Sequence, residues 1–146
     1  MDDPYHLGRF LEAQERNYDA ALRELRAGAK RSHWMWYVFP QMRGLGRSET
    51  ALLYAIASLD EARAYLDHPV LGNRLRECVA VLLALPEGGA EDIFGTIDAL
   101  KLRSCLTLFR IAAPGEDDFV RALEKYFGGK LDPYTITLLE AAQRGA

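Results

Sequence analysis

Apolar residues recur at three- and four-residue spacing through most of this chain, the period of a helix face rather than of a strand. Leu7, Phe10, Leu11, Gln14, Tyr18, Ala21, Leu22 and Leu25 mark the first such face. They predict an amphipathic helix started by Asp3-Pro4, with room for a kink near Asn17, and ended at Gly28. Residues 33–41, His33-Trp34-Met35-Trp36-Tyr37-Val38-Phe39-Pro40-Gln41, follow. Ser32 is placed to cap a short helix there and Pro40 to stop it. The run is too short for its period to exclude a strand, but no partner strand is evident elsewhere, so helix is preferred.

Gly44 and Gly46 bracket a turn, and Ser48 is positioned to cap a helix over 50–57. Ser58-Leu59-Asp60-Glu61 has the form of a capping box and opens a helix toward Asp67. Pro69 starts a longer one, with Val70, Leu71, Leu75, Cys78, Val79, Leu82 and Leu83 on its apolar face, ending near Leu85-Pro86. Glu87-Gly88-Gly89 reads as a loop and not a domain linker, because the pattern resumes at once. A turn at Ile93-Phe94-Gly95 precedes 97–113, where Leu100, Leu102, Cys105, Leu106, Leu108, Phe109, Ile111 and Ala112 leave a helix apolar nearly all round. That is the signature of a central helix. Glu116-Asp117-Asp118 and Gly128-Gly129 frame the next helix, and Asp132-Pro133 starts the last. The expectation is an all-α, single compact domain spanning 1–146, with seven or eight helices around 97–113.

Composition agrees with this reading. A chain of 146 residues that is 49% hydrophobic can bury a proper core, and it shows no repeat or low-complexity segment. No apolar run reaches the ~18–20 residues that cross a membrane, and the acidic N-terminus lacks a signal-peptide apolar region. Cys78 and Cys105 lie within apolar helical patterns, as reduced core thiols of a cytoplasmic protein do. No spacing suggests zinc, and no cofactor is called for.

The net charge of −3 argues against nucleic acid as a partner of the whole molecule. The window from Arg26 to Arg47 nevertheless holds five basic residues (Arg26, Lys30, Arg31, Arg43, Arg47) and no acid, leaving −8 for the rest. A basic window beside an aromatic run suits either an anionic ligand or a solvated surface. Both tryptophans fall in that run, with His33 at its entrance and Gln41 at its exit. In the central helix Asp98, Lys101 and Ser104 recur every three residues and share a face. A lysine there must pair, reach water or meet an anion; an Asp98–Lys101 pair with a snorkelling stem is the plain reading. His6 and His68 fall at helix starts and junctions and are expected to be exposed. No nucleophile elbow, phosphate loop, dinucleotide fingerprint or metal-binding helix motif is present.

Lys30-Arg31-Ser32-His33-Trp34-Met35-Trp36-Tyr37-Val38-Phe39-Pro40-Gln41, then Gly44-Leu45-Gly46 and Ser48, resembles the signature of the bacterial domain of unknown function 1810 family. The resemblance continues through Tyr65-Leu66-Asp67-His68-Pro69-Val70-Leu71-Gly72, through Asp98, Lys101-Leu102 and Ser104 to Leu108-Phe109, and ends with Phe127-Gly128-Gly129 and Asp132. It implies a mainly helical single domain and supplies no activity. A calpastatin-like label carried by some members does not suit this chain, since such inhibitors are disordered and this composition forms a core. The family pattern includes His33, Trp34, Trp36, Gln41, Asp98, Lys101 and Ser104, several of them polar beyond what packing requires. It points to a pocket between the aromatic segment 33–41 and helix 97–113.

Two functions are compatible with these residues. The first is binding, with or without processing, of a small anionic metabolite such as a nucleotide or sugar phosphate. Trp34 or Trp36 would stack on a ring, Lys101 and Arg31 would hold negative charge, and His33 or Asp98 would move a proton. The second is a non-enzymatic protein–protein interaction module whose aromatic core is purely structural. A concave pocket lined by tryptophan and Lys101 favours the first; a filled core with Lys101 in solvent favours the second.

Overall fold

The computed structural model describes residues 2–145. They form eight helices: α1 (Gly8–Arg26), α2 (Met35–Val38), α3 (Glu49–Leu53), α4 (Leu59–Asp67), α5 (Leu71–Ala84), α6 (Ala90–Ala112), α7 (Asp117–Phe127) and α8 (Pro133–Arg144). No strand occurs among the described residues; the nearest thing is an isolated parallel bridge between Met42 and Ile56.

Most helix ends fall where the punctuation places them, with informative exceptions. Asp3 does cap α1, but from a turn further back: its carboxylate accepts from the N–H groups of Leu7 (2.7 Å) and Gly8 (2.9 Å). No break occurs at Asn17, whose side chain bonds back to the Ala13 carbonyl. Ser32 does not cap α2, because its hydroxyl is drawn away to Glu24 (2.7 Å). Ser48 caps α3 as expected, through the Ala51 N–H (3.1 Å), but the helix stops at Leu53 rather than running to 57. The chain instead turns so that Ile56 can pair with Gln41 and Arg43. His68 is half-buried, and its Nδ1 accepts from the N–H groups of Val70 and Leu71, so it acts as the cap of α5.

Glycine decides two close features. A Cβ on Gly72 would stand 2.0 Å from the Leu66 carbonyl, so only glycine lets α5 start so tightly against α4. Gly95, at φ +78°, bends α6 and separates its first turn from the long segment that follows. The long segment packs against α4, α7 and α8. An aromatic spine joins the layers: Phe10 meets Tyr65 edge-on (5.1 Å), Tyr65 meets Phe109 (5.5 Å), and Phe109 stacks on Phe119 (5.9 Å). All four rings are essentially inaccessible to solvent. Cys78 and Cys105 are buried free thiols, and burial pushes Cys78 up to about 12 and Cys105 well above its ordinary value, so neither is a ready nucleophile.

One expectation about α6 needs correction. Ile97 and Leu100 are not buried by neighbouring helices; they are 72% and 59% exposed. The helix is apolar all round in sequence, yet one strip of it near Gly95 faces open space beside α8, where Tyr134 is 73% exposed.

Candidate functional site

One residue, Met35, separates Trp34, which caps α2, from Trp36 in its first turn, and the two side chains go to opposite sides. Trp34 enters the core. It is 1% exposed, packs against Phe39 and Phe94, and donates its indole N–H to Glu24 (3.0 Å). Glu24 also accepts from the N–H groups of Arg31 and Ser32 and from the Ser32 hydroxyl, so one carboxylate organises the whole entry to the aromatic segment. Burial pushes the Glu24 carboxyl up, but these hydrogen bonds outweigh it and hold it at about 2.

Trp36 turns outward and remains half-buried. Gly46 makes that position workable: a Cβ there would come within 2.7 Å of the indole, so the loop after Gln41 can press on the ring edge only through glycine. Gly44, at φ +109°, provides the turn that brings the loop back. Over the Trp36 ring sits the Lys101 ammonium, 4.6 Å from its centroid. Lys101 bonds Asp98 (3.0 Å), as its spacing allowed, but Asp98 is shared. Lys30 reaches the same carboxylate at 2.7 Å. 

Lys30 and Asp98 stand 68 positions apart, a distance no local pattern spans. Lys30 in turn lies 5.0 Å from the Trp34 ring, so each tryptophan carries one of the two ammonium groups. Burial pushes the Asp98 carboxyl up, but the two lysines outweigh it and keep it below its ordinary value. Two lysines on one carboxylate leave the cluster with one net positive charge.

The Trp36–Lys101 contact is a partition between two cavities. On one side, a space of about 530 Å³ is lined by Lys30, His33, Tyr37, Tyr54 and Asp98. On the other, a space of about 430 Å³ is lined by Gln41, Leu45, Gly46, Ser104 and Asp132, with Ile97, Leu100 and Tyr134 at its exposed rim. Arg103 also lines this second cavity, but its guanidinium is held by the carbonyls of Lys130 and Leu131.

Two buried glutamines show what is unusual here. Gln14, 1% exposed, donates to the Tyr37 carbonyl (2.7 Å) and bonds Tyr65 Oη (3.1 Å), while its carbonyl accepts from Arg74 (3.3 Å). Gln41 is 2% exposed, and its Nε2 has no hydrogen-bond partner among the described residues. A buried amide donor without a partner costs about 1–3 kcal/mol, so its place on a cavity wall has a physical meaning. Only the main chain of Gln41 is tied down, through the Ile56 N–H (2.9 Å).

The structure thus brings Trp36, Gln41, Lys101 and Ser104 to one cavity, and His33 and Asp98 to its neighbour. It brings Trp34 and Arg31 to neither. Trp34 is core, and Arg31 is exposed, contributing its N–H to Glu24. Ser104 points at Asp132 (2.9 Å), which caps α8 and accepts from Thr135 as well. Sequence reasoning did not find Leu100, Tyr134 and Asp132 as wall residues. The Asp132-Pro133 signal was legible, but only as a helix start. No group of three or more histidine, cysteine, aspartate or glutamate side chains that could hold a metal occurs among the described residues. No helix of the described residues is long and apolar enough to cross a membrane.

Comparison with known proteins agrees with this geometry in fold and leaves the chemistry open. No curated protein matches. The crystal structure of the conserved hypothetical protein Rv1873 from Mycobacterium tuberculosis is 51% identical and superimposes with a TM-score of 0.93, covering 94% of this chain and 99% of that one. A family model described as "Protein of unknown function (DUF1810)" matches residues 4–139. With nearly its whole length matched, the chain belongs to the DUF1810 family.

Proposed function

We propose that this protein binds a small anionic metabolite in the cavity between the aromatic segment and α6, with Trp36, Gln41, Lys101 and Ser104 as the contact residues. The observation that carries the proposal is Gln41: a residue 2% exposed that lines a space of about 430 Å³, with a buried amide donor that has no partner among the described residues. A ligand acceptor meeting that donor recovers the cost of burying it. The positive sign of the Lys30–Asp98–Lys101 cluster selects an anion, and the half-buried Trp36 offers an apolar surface beside it. His33 and Asp98 line the neighbouring cavity, behind the Trp36–Lys101 partition, and stand outside this contact set.

A second reading, a protein–protein interaction module, has one observation in its favour: the exposed apolar rim of Ile97, Leu100 and Tyr134. A thermal-shift titration separates the two. AMP, ribose 5-phosphate and a set of organic acids are each titrated, since a ligand selective for the native state raises the melting temperature with concentration. The small-ligand reading expects at least one anion to do so, with the shift reduced in Lys101→Met. If no anion moves the melting temperature at millimolar concentration, the small-ligand reading fails and the interaction module takes its place.

A further inference from the structure

The charged groups lining the Gln41 cavity are Lys101 and Arg103 against Asp132, two positive and one negative, for a net of one positive charge. Asp132 is not free to leave that balance. It is 7% exposed, and its carboxylate accepts from Ser104 Oγ (2.9 Å), Thr135 Oγ1 (2.6 Å) and the N–H groups of Tyr134 and Thr135. The N-terminus of α8, the feature that would otherwise receive a phosphate, is therefore already filled by the chain's own carboxylate. A phosphate monoester carries about −1.5 to −2 at neutral pH and would overbalance this lining. A single carboxylate matches it.

The donors and the walls narrow the ligand further. Gln41 Nε2 is unpartnered, and the Lys101 ammonium, with three hydrogens to give, spends one on Asp98. Around them the wall is apolar: Trp36, Leu45, Ile97, Leu100 and Tyr134. Sugar hydroxyls buried against such a surface would lose water without gaining partners. A flat apolar body would lose nothing there and would cover side chains that stand 59–73% exposed.

Resting on the small-anion reading above, we infer that the cavity takes a monocarboxylate carried on a flat apolar body, an aryl carboxylic acid in class. Its carboxylate lies against Lys101 Nζ and, after a turn of the buried Gln41 amide toward the cavity, Gln41 Nε2; its ring lies among Trp36, Leu100 and Tyr134.

The test is calorimetric titration of the full chain with three probes: 2-naphthoate, the uncharged 2-naphthalenemethanol, and ribose 5-phosphate. Nitrogen-15 NMR of the glutamine side-chain amides reports the place of binding. 2-Naphthoate should bind about tenfold tighter than either comparator and shift the Gln41 amide resonances. Gln41→Met, with its melting temperature recorded to show that it folds, should weaken 2-naphthoate about tenfold. Equal binding of the acid and the alcohol overturns the carboxylate pairing, and undiminished binding to Gln41→Met overturns the role of Gln41. Tighter binding of ribose 5-phosphate, with a shift at Gln41, overturns the aryl class while the small-anion reading stands. Silence from both charged probes at millimolar concentration overturns the aryl class, and the small-anion reading then rests on the wider panel alone.

Discussion

Trp34 and Trp36 stand two positions apart, one capping α2 and the other in its first turn, yet their surroundings are opposites. Around Trp34 every polar group is answered: the indole N–H by Glu24, Glu24 by four donors, Lys30 by Asp98. Around Trp36 the ring is only partly buried, two cavities meet, and the Gln41 amide donor has no partner among the described residues. The same contrast divides the two buried glutamines, since Gln14 is fully engaged and Gln41 is not. Residues rich in hydrophobic surface serve folding on one side of the segment and border open cavities on the other. The lesson is that an aromatic cluster is not one functional unit; its members are told apart by what satisfies their neighbours.

Truncating the two tryptophans is the sharpest way to break that contrast. Trp34→Ala removes a filled core position and should cost ~3–5 kcal/mol in chemical denaturation. Trp36→Ala should cost less, about 1–2 kcal/mol, because that ring is only partly buried. Equal losses would mean that both rings are core and would erase the distinction.

Pairing at Asp98 comes next in size. Lys101→Met and Lys30→Met each leave Asp98 with one ammonium partner, so each alone should change stability modestly. The double variant strands a carboxylate that is only 18% exposed, and should cost about 2 kcal/mol more than the two single changes summed. Additive losses in that cycle would show that the lysines do not share Asp98.

Glu24 offers a test through pH. Its folded value of about 2 lies below its ordinary value of 4.5, so the stability it contributes is present above about pH 4.5 and lost as pH falls toward 2. Glu24→Gln should flatten that part of the acid-denaturation profile and cost about 1 kcal/mol at neutral pH. An unchanged acid limb would remove Glu24 from its organising role.

Much of this fold was legible because helices carry their own punctuation. Ser48, Ser58, Asp132-Pro133 and Gly128 mark ends that the structure reproduces, each through a local hydrogen bond or a backbone angle. Failures arise where a distant group wins. Ser32 was free to cap until Glu24, eight residues back, took its hydroxyl, and the helix after Ser48 was cut short by the pairing of Ile56 with Gln41 and Arg43. The candidate residues were legible as a set, but not their division. Periodicity can place Asp98, Lys101 and Ser104 on one face; it cannot show Lys30 arriving from 68 residues away or Asp132 claiming Ser104. It also could not show that Ile97 and Leu100 lack covering neighbours, since an apolar residue looks the same in sequence whether packed or bare.

Gln41→Met tests most directly whether the Trp36 side is kept open at a cost to folding. Methionine matches the length of glutamine and brings no unpartnered donor. Stability in a denaturant titration should therefore stay level or rise, by up to about 1 kcal/mol. A loss of about 1 kcal/mol or more would show that the Gln41 amide is satisfied within the fold, and the candidate site would lose the observation on which it stands.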